Sequence, residues 1–239
     1  MNTHRIRMPI IGIIVALLTM ATLVGASASG LGLTASSITA SSVSGISAAA
    51  PKVTCDNFTG TGNLNGRAVR EAAACGAFSW SVHRGSFAIN SNRARRSSNT
   101  SNSTVTVAAG STDRMAQVDI FPSRGASVVA GLTLAHSGTT LQPRYLAVAI
   151  VGTNSVQLRS SNGLLVTTLA SASASISNPT RLRASLSGGT VRVWVNGTLR
   201  ITHNLTVEQQ SAIGGSRYGL YASGGSSTYD NFHLTQVWP

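Results

Sequence analysis

Apolar and polar side chains alternate with a period of two through most of the chain from Lys52 onward, and that parity constrains the fold more than any other feature. Phe78, Trp80 and Val82 alternate with serine; Ala116, Val118 and Ile120 alternate with Gln117 and Asp119. Leu146, Val148 and Ile150 alternate with alanine, and Leu182, Ala184 and Leu186 alternate with Arg181, Arg183 and Ser185. Side chains two apart lie on one face of a strand, so these segments read as half-buried antiparallel strands. Ser161-Asn162-Gly163, Gly188-Gly189, Asn196-Gly197 and Gly224-Gly225 punctuate them as turns. The pattern predicts an all-β sandwich or barrel, with one helical turn after Thr206, where Thr206 and Gln209 have capping-box spacing.

Two hairpins between residues 180 and 203 can be put in register. Pairing across Gly188-Gly189 sets Leu186 beside Val191, Ala184 beside Val193 and Arg183 opposite Trp194. A two-residue loop at Asn196-Gly197 would mix the faces. A bulged, odd loop keeps Val193 and Val195 with Leu199 and Ile201, and is the expectation. The outer face then presents Arg181, Arg183, Arg192, Trp194 and Arg200. Trp194, Arg183, Arg192 and Arg200 are the first candidate contact surface, with the indole either paired to Arg183 or free to stack on a sugar. If Phe232 and Leu234 point inward, Tyr229, Asn231 and His233 point outward; with Tyr221, opposed to Leu220 and Ala222, they make a second candidate patch. Trp80, in phase with Phe78 and Val82, belongs to the core. Trp238 is expected to cover a sheet end. Arg93, Arg95 and Arg96 lead into a Ser/Asn/Thr-rich stretch reaching Thr104 that reads as an exposed loop.

The N-terminus carries an address. Arg5 and Arg7 precede an apolar run from Pro9 to Gly25, followed by Ala26-Ser27-Ala28, so residues 1–28 read as an export signal cut after Ala28, with an uncleaved anchor as the competing reading. Residues 29–51 are uncharged Ser, Ala, Gly and Thr with scattered aliphatics, a flexible linker by composition. Residues 52–239 form the folded domain. Cys55 and Cys75 are the only cysteines; in an exported chain they are expected to pair, closing a loop of about 20 residues worth roughly 3 kcal/mol. The protein is therefore expected outside the cytoplasm, secreted or at the cell surface.

The chain has 18 Lys and Arg against 6 Asp and Glu, a formal charge of +12, and Lys52 is the sole lysine. Loss of the leader would remove two of those charges. Such a field attracts polyanions, and guanidinium pairs bidentately with carboxylate or phosphate. A glycan or polyanionic polysaccharide is the expected partner. Export makes DNA a chance ligand, so no specific nucleic-acid partner is expected; a membrane enters only if the N-terminal segment stays uncleaved, and the domain reads as a monomer. The Gly-x-Ser-x-Gly and His-Glu-x-x-His patterns are absent, and no lysine is placed for a P-loop.

The order of motifs resembles the concanavalin A-like lectin/glucanase superfamily in its laminin G-like, exported bacterial form. The matching pieces are Asp56-Asn57-Phe58 with Leu64-Asn65-Gly66, the run Trp80 to Ile89, the run Val191 to Leu199, and Tyr218-Gly219-Leu220-Tyr221 leading to Tyr229-Asp230-Asn231-Phe232. The resemblance implies a jelly roll of two curved antiparallel sheets with first and last strands side by side, and members that bind glycans, cut them or serve in adhesion. It also brings the two Asp-Asn-Phe segments close together. Asp56, Asn57, Asp230 and Asn231 are then weak candidates for a structural calcium, with turn capping as their expected role; no other cofactor is implied. Catalytic relatives draw two carboxyl groups from a Glu-x-Asp-x-x-Glu strand, which this chain lacks; Glu71, Glu208, Asp113 and Asp119 read as surface acids. Jelly-roll lyases need only Tyr or His with Arg or Gln. Residues of those types occur, His136 and His203 among them, but the Gln-Ile-His strand of one such family is replaced by Gln117-Val118-Asp119. The expected function is a non-catalytic carbohydrate-binding or surface-adhesion module for anionic or wall-associated glycans, with a lyase or hydrolase, or a ligand-free structural protein, as alternatives.

Overall fold

A computed structural model describes residues 52–69, 75–123 and 128–237. The export signal with its cut after Ala28, the linker, Glu71 and Trp238 lie outside the described residues. The strands run in the order β1 (Lys52–Asp56), β2 (Gly62–Asn63), β3 (Ser81–Arg84), β4 (Phe87–Asn90), β5 (Arg93–Arg96), β6 (Ser103–Ala108), β7 (Arg114–Phe121) and β8 (Val129–Gly138). Then follow β9 (Pro143–Val151), β10 (Ser155–Asn162), β11 (Val166–Ser173), β12 (Thr180–Ser187), β13 (Thr190–Val195), β14 (Thr198–Asn204), α1 (Val207–Ile213), β15 (Arg217–Gly224) and β16 (Thr228–Gln236).

Among the described residues these strands make two antiparallel sheets. One has nine strands in the order β14-β13-β12-β7-β16-β5-β4-β2, with β1 also on β16; the other has seven, β11-β10-β9-β8-β15-β6-β3. The first and last strands are neighbours: Asp56 lies opposite Phe232 and Lys52 opposite Thr235. The two Asp-Asn-Phe segments thereby come together as the resemblance implies. Cys55 and Cys75 are bonded, with Cα atoms 5.6 Å apart.

The core lies between the sheets and is built by the parity read from sequence. Val118 and Ile120, Leu182 and Ala184, and Val191 and Val193 on one side meet Leu132, Leu134, Leu146, Val148, Ile150 and Leu220 on the other, all fully buried. Each of these Val, Leu and Ile side chains contributes about 1.5–3 kcal/mol by leaving water. Trp80 is fully buried between Phe58 and Phe232, whose ring centroids lie 5.6 and 5.1 Å away. Helix α1 starts with the expected capping box: Thr206 accepts from the Gln209 amide and Gln209 returns the bond.

One local expectation holds over a shorter span: Arg93–Arg96 forms β5, with Ala94 in the core, and residues 97–102 then make the expected surface loop, while Ser103 and Thr104 already belong to β6. Two others fail through strand geometry. Asn196 and Gly197, with φ of 50° and 82°, make a tight two-residue turn that closes on Val195 opposite Thr198. The bulge sits further along, with Trp194 opposite Leu199 and Val193 opposite Ile201, so Ile201 keeps its inward place while Leu199 is turned out and half exposed. Strand β16 also carries an irregularity between Asp230 and His233, where Asn231 takes a φ of 52°. That extra residue reverses the phase, so Tyr229 and Phe232 both face the core.

Candidate functional site

The outer face of the nine-stranded sheet gathers its polar side chains in rows, because directly opposed residues of neighbouring antiparallel strands share a face. One row runs Trp194 on β13, Arg183 on β12, Gln117 on β7 and His233 on β16. The next sets Arg181 opposite Asp119 and Asp119 opposite Asp230. Arg192 stands on the same face, opposite Ser185, exposed and one step away. An open groove of about 550 Å³ follows these rows, lined by Gln117, Asp119, Pro179, Arg181, Arg183, Trp194 and the Asn196-Gly197 turn.

The groove is held by a small polar frame. Arg183 lays its guanidinium carbon 4.4 Å from the centre of the half-buried Trp194 indole, and its Nε makes no hydrogen bond among the described residues. Arg181 grips Asp119 with two bonds, Nε to Oδ1 at 2.8 Å and a terminal nitrogen to Oδ2 at 3.0 Å, while Asn231 donates to Oδ2 at 3.1 Å. Burial works against the Asp119 carboxylate, yet the bonds from Arg181 and Asn231 and the Arg181 charge hold its pKa below the ordinary carboxylate value. Asn196 accepts from the Arg181 amide and donates to Ser177, fixing the turn against β12.

Several sequence-derived site residues change place. Trp194, Arg183 and Arg192 stand on the outer face as expected. Arg200, carried around by the bulge, lines a separate shallow concavity with Asn154, Ser173, Ala174 and Ser175 and does not join Trp194. The second patch does not assemble. Tyr229 is fully buried and donates its hydroxyl across the sandwich to the Tyr221 carbonyl. Tyr221, in phase as expected but on the other sheet, is fully buried with Tyr145, Ala147 and Ala149, its hydroxyl on Asn102. Asn231 and His233 remain on the nine-stranded sheet behind the groove's lining, Asn231 bonded to Asp119 and His233 opposite Gln117. Sequence reading missed that union because Asp119 and Asp230 meet only through the pairing of β7 with β16, more than a hundred residues apart in the chain.

Opposed carboxylates raise the question of acid/base chemistry, since such positions have Cβ atoms about 4.5–5.5 Å apart. Burial, then the neighbouring Asp119 and Asp56 charges, raise the Asp230 pKa against its bond from the Asn231 amide and the Arg93 charge. Both oxygens of Asp119 are engaged by Arg181 and Asn231, which suits an anchor for the groove wall better than a nucleophile. The calcium candidates carry local hydrogen bonds of their own. Asp56 accepts from the Phe58 amide and from the Trp80 indole, both at 2.7 Å; Asn57 caps Thr59, and Asp230 caps Asn231. These are turn-capping roles, and among the described residues no three His, Cys, Asp or Glu side chains converge as a metal cluster.

The outer face of the seven-stranded sheet holds a second polar assembly that sequence reading did not single out. His83 stacks on His136 with centroids 4.1 Å apart, His136 stacks on Tyr145, and Arg217 donates to His83 and Thr106. The signal for it was the alanines and glycines at positions away from the core, Ala147, Ala149, Gly131 and Gly219, which make a low floor between larger neighbours.

No family model matches the chain, and no curated protein matches it. Solved structures do match its architecture. The carbohydrate binding module CBM66 from Bacillus subtilis aligns with a TM-score of 0.56 at 14% identity, over 66% of this chain and 95% of that one. A mutant of the GH43 protein BlXynB from Bacillus licheniformis aligns with a TM-score of 0.55 at 12% identity, over 77% of this chain and 39% of that one. At such identities the likeness is one of fold: an all-β sandwich of two antiparallel sheets.

Proposed function

We propose that residues 52–239 act outside the cytoplasm as a carbohydrate-binding or adhesion module, and that the Trp194 groove is its contact surface, taking an anionic or wall-associated glycan. The observation that carries this reading is the half-buried indole braced by Arg183 in an open polar groove, with part of its surface left to solvent. An aromatic face suits the apolar face of a pyranose, and a guanidinium fork suits a carboxylate or phosphate on the sugar. Asp119 is neutralised by Arg181, so the charge left over in the groove is positive. The carbohydrate-binding module among the solved structures of like fold agrees with the reading without choosing a ligand.

A glycan array probed at low and at high salt tests it. Selective retention that survives salt is expected, with Trp194→Ala lowering it about tenfold or more and Arg183→Ala lowering retention of acidic glycans most. Retention abolished by salt on every polyanion would reduce the surface to bulk charge, and retention unaltered by Trp194→Ala would remove the groove from consideration.

A further inference from the structure

Most large apolar side chains of the described residues are covered, but four are left at least two-thirds exposed close to one end of the seven-stranded sheet: Leu141 at 86%, Leu164 at 82%, Leu165 at 69% and Val207 at 79%. The first three crown two adjoining turns, β8 to β9 and β10 to β11. The turns abut, since a Cβ at Gly163 would sit 3.2 Å from the Gln142 Cβ, and they are tied at the base by Ser161 donating to the Pro143 carbonyl at 2.7 Å. Leu165 also borders the groove between β10, β11 and α1, at whose first residue Val207 stands.

The leucines are held outward by their turns. Asn162 Oδ1 accepts from the amides of both Leu164 and Leu165, at 3.1 and 3.0 Å, and Thr139 accepts from the Gln142 amide at 3.1 Å. Single exposed leucines are common; three on two braced, touching tips form a local apolar surface with little ordering cost left to meet on binding. Exposed Arg144 stands at the base of both turns, opposite Ser137 on one side and Asn162 on the other. The whole chain carries +12 with six acids in all, and among the described residues Glu208 is the acid that lines the α1 groove. An apolar tip on a strongly basic body is complementary to one kind of surface, acyl chains lying beneath anionic headgroups.

We propose that the Leu141/Leu164/Leu165 tip inserts into the interfacial region of an anionic lipid bilayer, with Arg144 at headgroup level. The assignment is independent of the glycan reading and uses a different part of the molecule. It is tested with the full chain and vesicles of phosphatidylcholine alone or mixed with phosphatidylglycerol. Because the apolar N-terminal run is common to every variant, the tip itself is probed: Leu164→Trp is followed by quenching from brominated acyl chains, read as the difference from the parent protein. Quenching of the introduced indole in the anionic vesicles, weaker in phosphatidylcholine alone, is expected, together with a fall of about tenfold or more in vesicle binding for Leu141→Ser/Leu164→Ser/Leu165→Ser. Far-ultraviolet dichroism checks that this variant stays folded. An unquenched indole on vesicle-bound protein, or undiminished binding by the triple variant, overturns the proposal. So does concentration-dependent self-association that the triple variant abolishes while vesicle binding persists, since the tip would then be a contact between copies.

Discussion

At the scale of single residues, Trp80 shows how one side chain closes a core and satisfies a charge. Its ring packs between Phe58 and Phe232, and its Nε1 donates to Asp56, which also caps the Phe58 amide. Trp80→Phe keeps an aromatic ring but takes a donor from a buried carboxylate, and urea unfolding is expected to show a loss of about 1–3 kcal/mol. His83 and His136 make a second residue-level case. Burial first, then the Arg217 charge, lowers the His83 pKa to about 4; burial, then His83 and Arg217, lowers that of His136 to about 3. The fold thus favours neutral rings, and as pH falls below 6.5 the unfolded chain takes up protons before the folded one does. Stability from this pair is complete above about pH 6.5 and drains away down to the folded values of about 4 and 3. His136→Phe, which keeps the stacking without a titrating nitrogen, is expected to flatten the fall in melting temperature between pH 6.5 and 4 relative to the parent. The burial of Trp80 was legible from its phase; the histidine stack was not, because its members come from β3 and β8, strands that are not neighbours in their sheet.

Elements were legible where parity runs unbroken, as in β7, β9, β12 and β13, whose inward residues are those the alternation named. It was lost at bulges, which add one residue without a composition of their own and reverse every side chain beyond them. Tyr229 and Arg200 were both misplaced for that reason, and the shift in β16 also delivered Asn231 to Asp119. Glycines within strands carry related information about curvature. A Cβ at Gly219 on β15 would run into the Val105 carbonyl and the Thr106 backbone on β6, contacts that no rotamer change can relieve. Gly219→Ala is expected to cost at least about 2–3 kcal/mol, whereas Gly188→Ala, with open space but a φ of 53°, should cost less; thermal melts of the two compare steric closeness with backbone strain.

For the molecule as a whole, the sign of the charge was readable from composition, but its distribution needed the fold. Asp119 and Asp230 stand opposite each other on the nine-stranded sheet with Asp56 close enough to raise Asp230, so half of the six carboxylates are spent on capping or pairing. Arginines are left to govern long-range attraction, and any glycan association should lose on-rate with added salt well before it loses selectivity. The pairing of β1 with β16 has an architectural consequence. Because Lys52 and Thr235 face each other across one ladder, a short bridge could splice these ends and new ones be opened at the Gly152–Asn154 turn; such a circular permutant should fold with near-parental cooperativity. A unit whose two ends leave side by side can be spliced into a host loop as a self-contained cassette, adding a sandwich to another protein without prising that protein's own scaffold apart.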